Sequence, residues 1–328
     1  MVTLIGIEEH WNDQPIDSAL RSLTPPRSDP SLALNDRGDT AAKLTDVGTG
    51  RLADMDAQGV GMQILALAPP ATQPLDAIDA VPLARAANDR AVSIVAEHPD
   101  RFAALATLPM ADPPAAAEEL ERCASLGLRG TMLYGRTVER QLDDAAFEDL
   151  YAVAESRAMP LFIHPQIPPA DVRAAAYSGL SPVTDLALAT YGWGWHLEAG
   201  TAALRMMAAG ILDRHPRLQL ILGHWGELLL FWHDRADSIA RTGHLQRTVT
   251  EYLRENIWIT ASGMLDPAMM RHALEITTPD RILFSTDYPF QRPTKGEIDR
   301  FLSTFPDDES REAFAHGNAE TLFDLLRP

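Results

Sequence analysis

Short apolar runs with strand character alternate along this chain with Ala-, Leu- and Glu-rich stretches of helical period, and no single motif limits the fold as much. The strand-like runs are Thr3–Ile7, Gly61–Ala68, Phe102–Leu108, Leu128–Leu133, Pro160–Ile163, Leu218–Leu222, Ile257–Ala261 and Ile282–Ser285. Between them lie helical patterns over Arg51–Gln58, Asp76–His98, Ala115–Leu126, Asp143–Arg157, Ala199–Arg214, Glu227–Ile239 and Pro267–Leu274, with a terminal helix over Glu309–Leu326. Eight strands separated by helices in 328 residues predict a single (β/α)8 TIM barrel over 1–328. A doubly wound open sheet is the competing fold. It would place a Gly-rich phosphate loop after the first strand, and this chain has none there.

Two stretches exceed what a barrel needs. Residues 11–50, rich in Pro, Asp, Ser and Thr, and residues 165–198, with Pro165, Pro168, Pro169 and Gly192-Trp193-Gly194-Trp195-His196, are expected to be loops lying as lids over the strand C-termini. Composition narrows the partners. With 28 basic against 46 acidic residues the net charge is −18, which argues against a nucleic-acid backbone. The single cysteine, Cys123, excludes an internal disulfide framework and a Cys-rich metal site. The N-terminal run lacks a basic n-region, and no span of about eighteen uncharged apolar residues exists, so a soluble cytoplasmic protein with no membrane partner is expected.

Chemistry-bearing residues sit at the predicted strand ends, where barrel active sites are built. Period-two alternation puts Glu8 and His10 on one face and Glu9 on the other. His164 closes Pro160–Ile163, and His224 closes the run that ends at Gly223, with Glu227 three residues later. Asp287 follows Ile282–Thr286 into the aromatic turn Tyr288-Pro289-Phe290. Each has an ordinary reading taken singly: solvated polar residues, satisfied histidines, a first-turn carboxylate, an Asx turn. Together they bring carboxylate and imidazole ligands to one rim, and such a set suits a divalent ion such as Zn²⁺ or Mn²⁺. A poorly solvated Asp287 is also suited to acid or base chemistry. The aromatic residues Tyr191, Trp193, Trp195 and Trp225 fit either a planar pocket wall or packing.

These pieces carry a resemblance. Glu8-Glu9-His10, Ile163-His164-Pro165, Gly223-His224-Trp225-Gly226-Glu227 with Arg235 downstream, and Ser285-Thr286-Asp287-Tyr288-Pro289 resemble the metal-dependent amidohydrolase superfamily. Within it they resemble the branch of non-oxidative ortho-hydroxybenzoate decarboxylases, of the gamma-resorcylate and 2,3-dihydroxybenzoate type. That branch has Glu-x-His on strand one, where many members have His-x-His. Two-metal members use a carboxylated lysine on strand four, whereas this chain's two lysines, Lys43 and Lys295, lie elsewhere. The resemblance therefore implies one divalent ion per chain, held by Glu8, His10, His164 and Asp287.

It further implies that Asp287 delivers a proton to the ring carbon bearing the carboxylate, while His224 and Glu227 orient substrate and tune that acid. Arg235, Tyr134, Trp195, His196 and Tyr288 are the expected substrate contacts. Tyr134-Gly135 stands where relatives often have Asn-Gly. A small aromatic carboxylate, CO2 or bicarbonate, and other copies of the chain as a dimer or tetramer are the implied partners. A metal-dependent hydrolase or hydratase acting on a lactone or unsaturated acid is the competing chemistry, and a non-catalytic binding protein the second rival.

Overall fold

The computed structural model describes residues 4–137 and 140–325. All eight predicted strands form: β1 (Ile5–Trp11), β2 (Met62–Leu67), β3 (Phe102–Ala104), β4 (Thr131–Tyr134), β5 (Leu161–His164), β6 (Leu220–Leu222), β7 (Ile257–Thr260) and β8 (Ile282–Leu283). They assemble as two wholly parallel sheets, β1–β2–β3 and β8–β7–β6–β5–β4. The continuous ring of ladders expected from the sequence is thus replaced by a three-stranded and a five-stranded sheet. Backbone bonds cross both gaps. Ala106 bridges Thr131 between β3 and β4, and Ile7 N–H donates to Phe284 C=O at 3.2 Å beside β8.

These strands are apolar on both sides because helices cover one face and their own side chains fill the other. One buried apolar cluster runs from Leu4 to Phe323. The helix expected over Ala115–Leu126 starts earlier, on a side-chain cap: the Asp112 carboxylate accepts from Ala115 N–H at 3.2 Å, and Pro113 opens the helix Pro113–Ser125. Gly127, just past its end, has φ +89°, a value few residues other than glycine adopt.

Four expectations need correction. β1 runs to Trp11, so Glu8 and His10 lie within a strand and not beyond its end. Residues 11–50 are not an irregular loop: helices Gln14–Ser22 and Thr40–Thr45 and the short turn Pro30–Leu34 form there, the first and last of these three capped by Asp13 and Asp29. Residues 165–198 likewise hold helices Ala170–Ala176 and Pro182–Ala189 and the start of Gly194–Ala208. These helices are too short to show a long period in sequence: Ile16, Leu20 and Leu32 join the main core, while Leu34 packs across to the second segment. Leu34, Ile167, Ala189 and Trp195 make this small second core. Finally, the helix expected from Glu227 begins at Leu229, after a left-handed turn. Thr3 and Leu326, ends of two predicted elements, lie outside the described residues.

Candidate metal centre and active site

β1 positions the first two ligand-type residues. Its register against β2 slips between Gly6 and Glu9, a bulge that re-aims the strand's side chains near its C-terminal end. Gly6 is required here, since a Cβ would overlap the Glu9 carboxylate. His164 is the last residue of β5, paired with Tyr134 of β4. Asp287 follows β8 with φ +60°, on a turn whose backbone is tied to β1: His10 N–H donates to Tyr288 C=O at 2.7 Å.

Glu8, His10, His164 and Asp287 converge, with one ligand atom of each within 4.8 Å of the others. His10 Nε2 lies 3.3 Å from Asp287 Oδ1, and His164 Nε2 lies 3.7 Å from Glu8 Oε1. Bonds of about 2.1 Å to one ion separate tetrahedral donors by about 3.4 Å, so these spacings fit a single divalent cation. The pattern of unmet atoms agrees. Glu8 Oε1 and His10 Nε2 are buried without a hydrogen-bond partner, a costly condition that an ion at this point relieves. His164 Nδ1 meets Pro165 C=O at 2.8 Å, which puts the proton on Nδ1 and frees Nε2 as a ligand.

Burial dominates the electrostatics. It pushes the Glu8 carboxyl well above its usual range, with nearby Asp287 adding to the effect. It raises Asp287 to about 7, against the pull of His224 and His196. It lowers His10 to about 3 and keeps His164 neutral. Neutral imidazoles beside proton-hungry carboxylates are what a cation site looks like before the cation arrives.

Beside this cluster stands a second. His224 Nδ1 lies 2.8 Å from Glu227 Oε1, and His196 Nδ1 lies 2.8 Å from Glu227 Oε2. Burial opposes ionisation of Glu227, but the two imidazoles outweigh it and hold the carboxyl at about 2. The spacing of three works through an unusual backbone: His224, Trp225, Gly226, Glu227 and Leu228 all have positive φ, between +47° and +85°. Such a left-handed run costs roughly 1–2 kcal/mol per non-glycine residue, and strain of this kind gathers at functional sites. Surroundings enforce it. Ser262 Oγ accepts His224 N–H at 2.8 Å, Trp225 Nε1–H donates to Met264 C=O at 2.8 Å, and Gly200 lets the helix Gly194–Ala208 approach Glu227 C=O.

The expected substrate contacts divide. Trp195 and His196 are brought in: the Trp195 ring centroid is 6.2 Å from that of His164, and the His196 ring is 4.6 Å from that of His224. Tyr134 is present as a ring 5.3 Å from His164, with its hydroxyl committed to Leu67 C=O at 2.5 Å. Tyr288 turns elsewhere. Its hydroxyl donates to Asp54 at 2.7 Å, and the Arg51 guanidinium covers its ring at 4.6 Å. Arg235 lies exposed on the helix Leu229–Gly243, with no ion pair to the site carboxylates among the described residues.

Several supporting residues were not found from sequence. Ser262 Oγ donates to Glu8 Oε2, which aims Oε1 at the ligand cluster. Glu9 accepts from Thr286 N–H at 2.8 Å and from Thr286 Oγ at 2.5 Å, joining β1 to the segment after β8. Arg51, fully buried, donates to His10 C=O and to Gln63 at 3.3 Å. Adjacent acids at the end of an apolar strand were a signal for Glu9; Ser262 and Arg51 gave none.

The amidohydrolase family model matches residues 39–325. The chain belongs to that family. It is 36% identical over 302 residues to the gamma-resorcylate decarboxylase of a Rhizobium species, covering 86% of this chain and 89% of that one. The crystal structure of 5-carboxyvanillate decarboxylase from Sphingomonas paucimobilis superposes with a TM-score of 0.89 at 34% identity, over 99% of each chain. A dihydroxybenzoic acid decarboxylase from Polaromonas sp. JS666, solved with manganese and 2-nitroresorcinol, superposes at 0.84 with 31% identity, covering 100% of this chain and 98% of that one. Within the amidohydrolases, the chain stands in the decarboxylase branch.

Proposed function

We propose that this amidohydrolase is a divalent-metal-dependent, non-oxidative decarboxylase of an ortho-hydroxylated benzoate. The observation that carries the reading is the convergence of Glu8, His10, His164 and Asp287 beside the His224–Glu227 pair, in a chain whose relatives are named decarboxylases. One Zn²⁺ or Mn²⁺ per chain fits the donor set. When bound, such an ion supplies Lewis acidity that orients and polarises a phenolate and its neighbouring carboxylate.

Direct loss of CO2 from a benzoate would leave an aryl carbanion. Protonation of the carboxyl-bearing carbon first avoids that species. Asp287, buried beside the other ligand residues, delivers a proton to that carbon. The ring–carboxylate bond then breaks, its electron pair restores aromaticity, and CO2 leaves. Asp287 is left ionised and regains a proton from solvent. Because each step is reversible, concentrated bicarbonate drives carboxylation of the phenol. His224 and Glu227 orient the substrate, and Trp195, His196 and the Tyr134 ring border it.

Other parts of the reading belong here. The two sheets act as one eight-stranded barrel, supported by the backbone bonds across both gaps, within a single domain. Residues 11–50 and 165–198 cover its mouth through their shared core. Phe231 and Trp232, 71% and 61% exposed on the helix that carries Arg235, mark a face for self-association as a dimer or tetramer. No helix among the described residues is long and apolar enough to cross a membrane, and we place the protein in the cytoplasm.

The test is CO2 release by metal-analysed protein against a panel of 2-hydroxy- and dihydroxybenzoates. Release that requires an ortho hydroxyl and bound metal is expected. Silence across the panel from metal-loaded protein overturns the reading in favour of hydrolysis.

A further inference from the structure

His196 sits between two acceptors. Its Nδ1 is 2.8 Å from Glu227 Oε2, and its Nε2 is 3.0 Å from Tyr191 C=O. A carbonyl oxygen cannot donate, so Nε2 carries a proton. Glu227 is ionised, with its other oxygen taken by His224 Nδ1 at 2.8 Å, so Nδ1 of His196 carries a proton as well. An imidazole protonated on both nitrogens is a cation.

The contacts that impose this state come from separate elements. Glu227 and His224 lie on the left-handed turn after β6, Asp287 follows β8, and Tyr191 belongs to the 165–198 segment. Tyr191 is itself held from the 11–50 segment: Arg37 Nη1–H donates to its hydroxyl at 3.2 Å, and the guanidinium lies 5.3 Å from its ring centre. Glu198, nearby on the helix of His196, is paired instead with Arg136 at 2.9 Å. Burial works against protonating His196, yet Glu227 and the Tyr191 carbonyl raise its pKa above the ordinary histidine value.

We propose that His196 is a fixed imidazolium that balances the charge of Glu227 and holds its carboxylate in place against His224. This rests on the role given to His224 above, and it makes His196 a positioning residue acting through Glu227. His196 also supplies the local positive charge that Arg235, exposed on its helix, does not bring to the site. In a protein of net charge −18, that matters for an anionic substrate.

The experiment uses the full chain loaded with diamagnetic zinc and labelled with ¹⁵N in histidine. Two-bond ¹H–¹⁵N spectra are expected to show His196, assigned by its loss in His196→Gln, protonated on both nitrogens at neutral pH. Turnover should fall about tenfold or more in His196→Gln, which keeps a donor without the charge, and recover in part in His196→Lys, which restores it. A neutral His196 in the parent, or equal turnover in the glutamine and lysine variants, would each overturn the proposal. Absence of CO2 release by the parent would instead remove the decarboxylase reading, and the spectra would still report on His196.

Discussion

Asp287 and His164 lie in one cluster but differ in what the site asks of them. Asp287 combines a ligand position with the role of proton donor, whereas His164, fixed by Pro165 C=O, offers only a lone pair. Asp287→Asn should keep part of the metal and lose turnover by roughly 10²–10⁴-fold, the usual worth of a positioned acid, while His164→Ala should lose metal and turnover together. Metal analysis beside CO2 release separates them, and equal metal loss in the two variants would contradict the proton-donor role. Arg51 makes a different prediction. Its guanidinium is buried among His10 C=O, Gln63 and the Tyr288 ring, near Glu9, so Arg51→Met should destabilise the fold by about 3 kcal/mol in urea titrations. At this scale the ligands were legible in the sequence because each ends an apolar run with a polar residue. Arg51, Ser262 and the Tyr288–Asp54 bond were not, since they join residues far apart in sequence and have no period.

Among the elements, the turn from His224 to Leu228 decides how the second cluster is built. A right-handed start near Trp225 was the natural expectation from a three-residue spacing. The structure reaches the same His224–Glu227 contact with the opposite hand, and handedness leaves no trace in a spacing. Gly200 is the hinge of this arrangement, for a Cβ there would stand 2.6 Å from Glu227 C=O. Gly200→Ala should therefore push the helix Gly194–Ala208 and the turn apart, at a cost of about 1–3 kcal/mol. Because Glu227 moves with the turn, kcat should fall more than the loss of folded protein explains; thermal melts run beside kinetics would show it. Strands and long helices were readable from period alone, whereas the short helices of residues 11–50 and 165–198 were not. Each is short, and the contact of Leu34 with Ile167, Ala189 and Trp195 joins two segments far apart in sequence, which no period records.

Across the whole molecule, ion binding, folding and pH are linked. Protons compete with the ion at Asp287, whose carboxyl is held at about 7 without metal. Lowering pH through that value protonates Asp287, and Glu8 is raised as well, so apparent metal affinity should fall steadily as pH is lowered through 7. Metal titrations at several pH values test the sign. An ion present at about 1,000 times its dissociation constant adds roughly 4 kcal/mol to stability, so a chelator should lower Tm by several degrees. Glu227 contributes in the opposite part of the scale. Its folded-state value of about 2 lies below the usual carboxylate range, so its contribution is complete above that range and is lost as pH falls towards 2. The pairing of Glu9 with Thr286 spans 277 residues, and the ligand set likewise needs β1 and the segment after β8 together. A chain emerging from the ribosome thus carries Glu8 and His10 through nearly all of its synthesis without the partner that completes their pocket. Metal capture is deferred to the end of translation, and a product cut short before Asp287 leaves the cell's metal pool untouched.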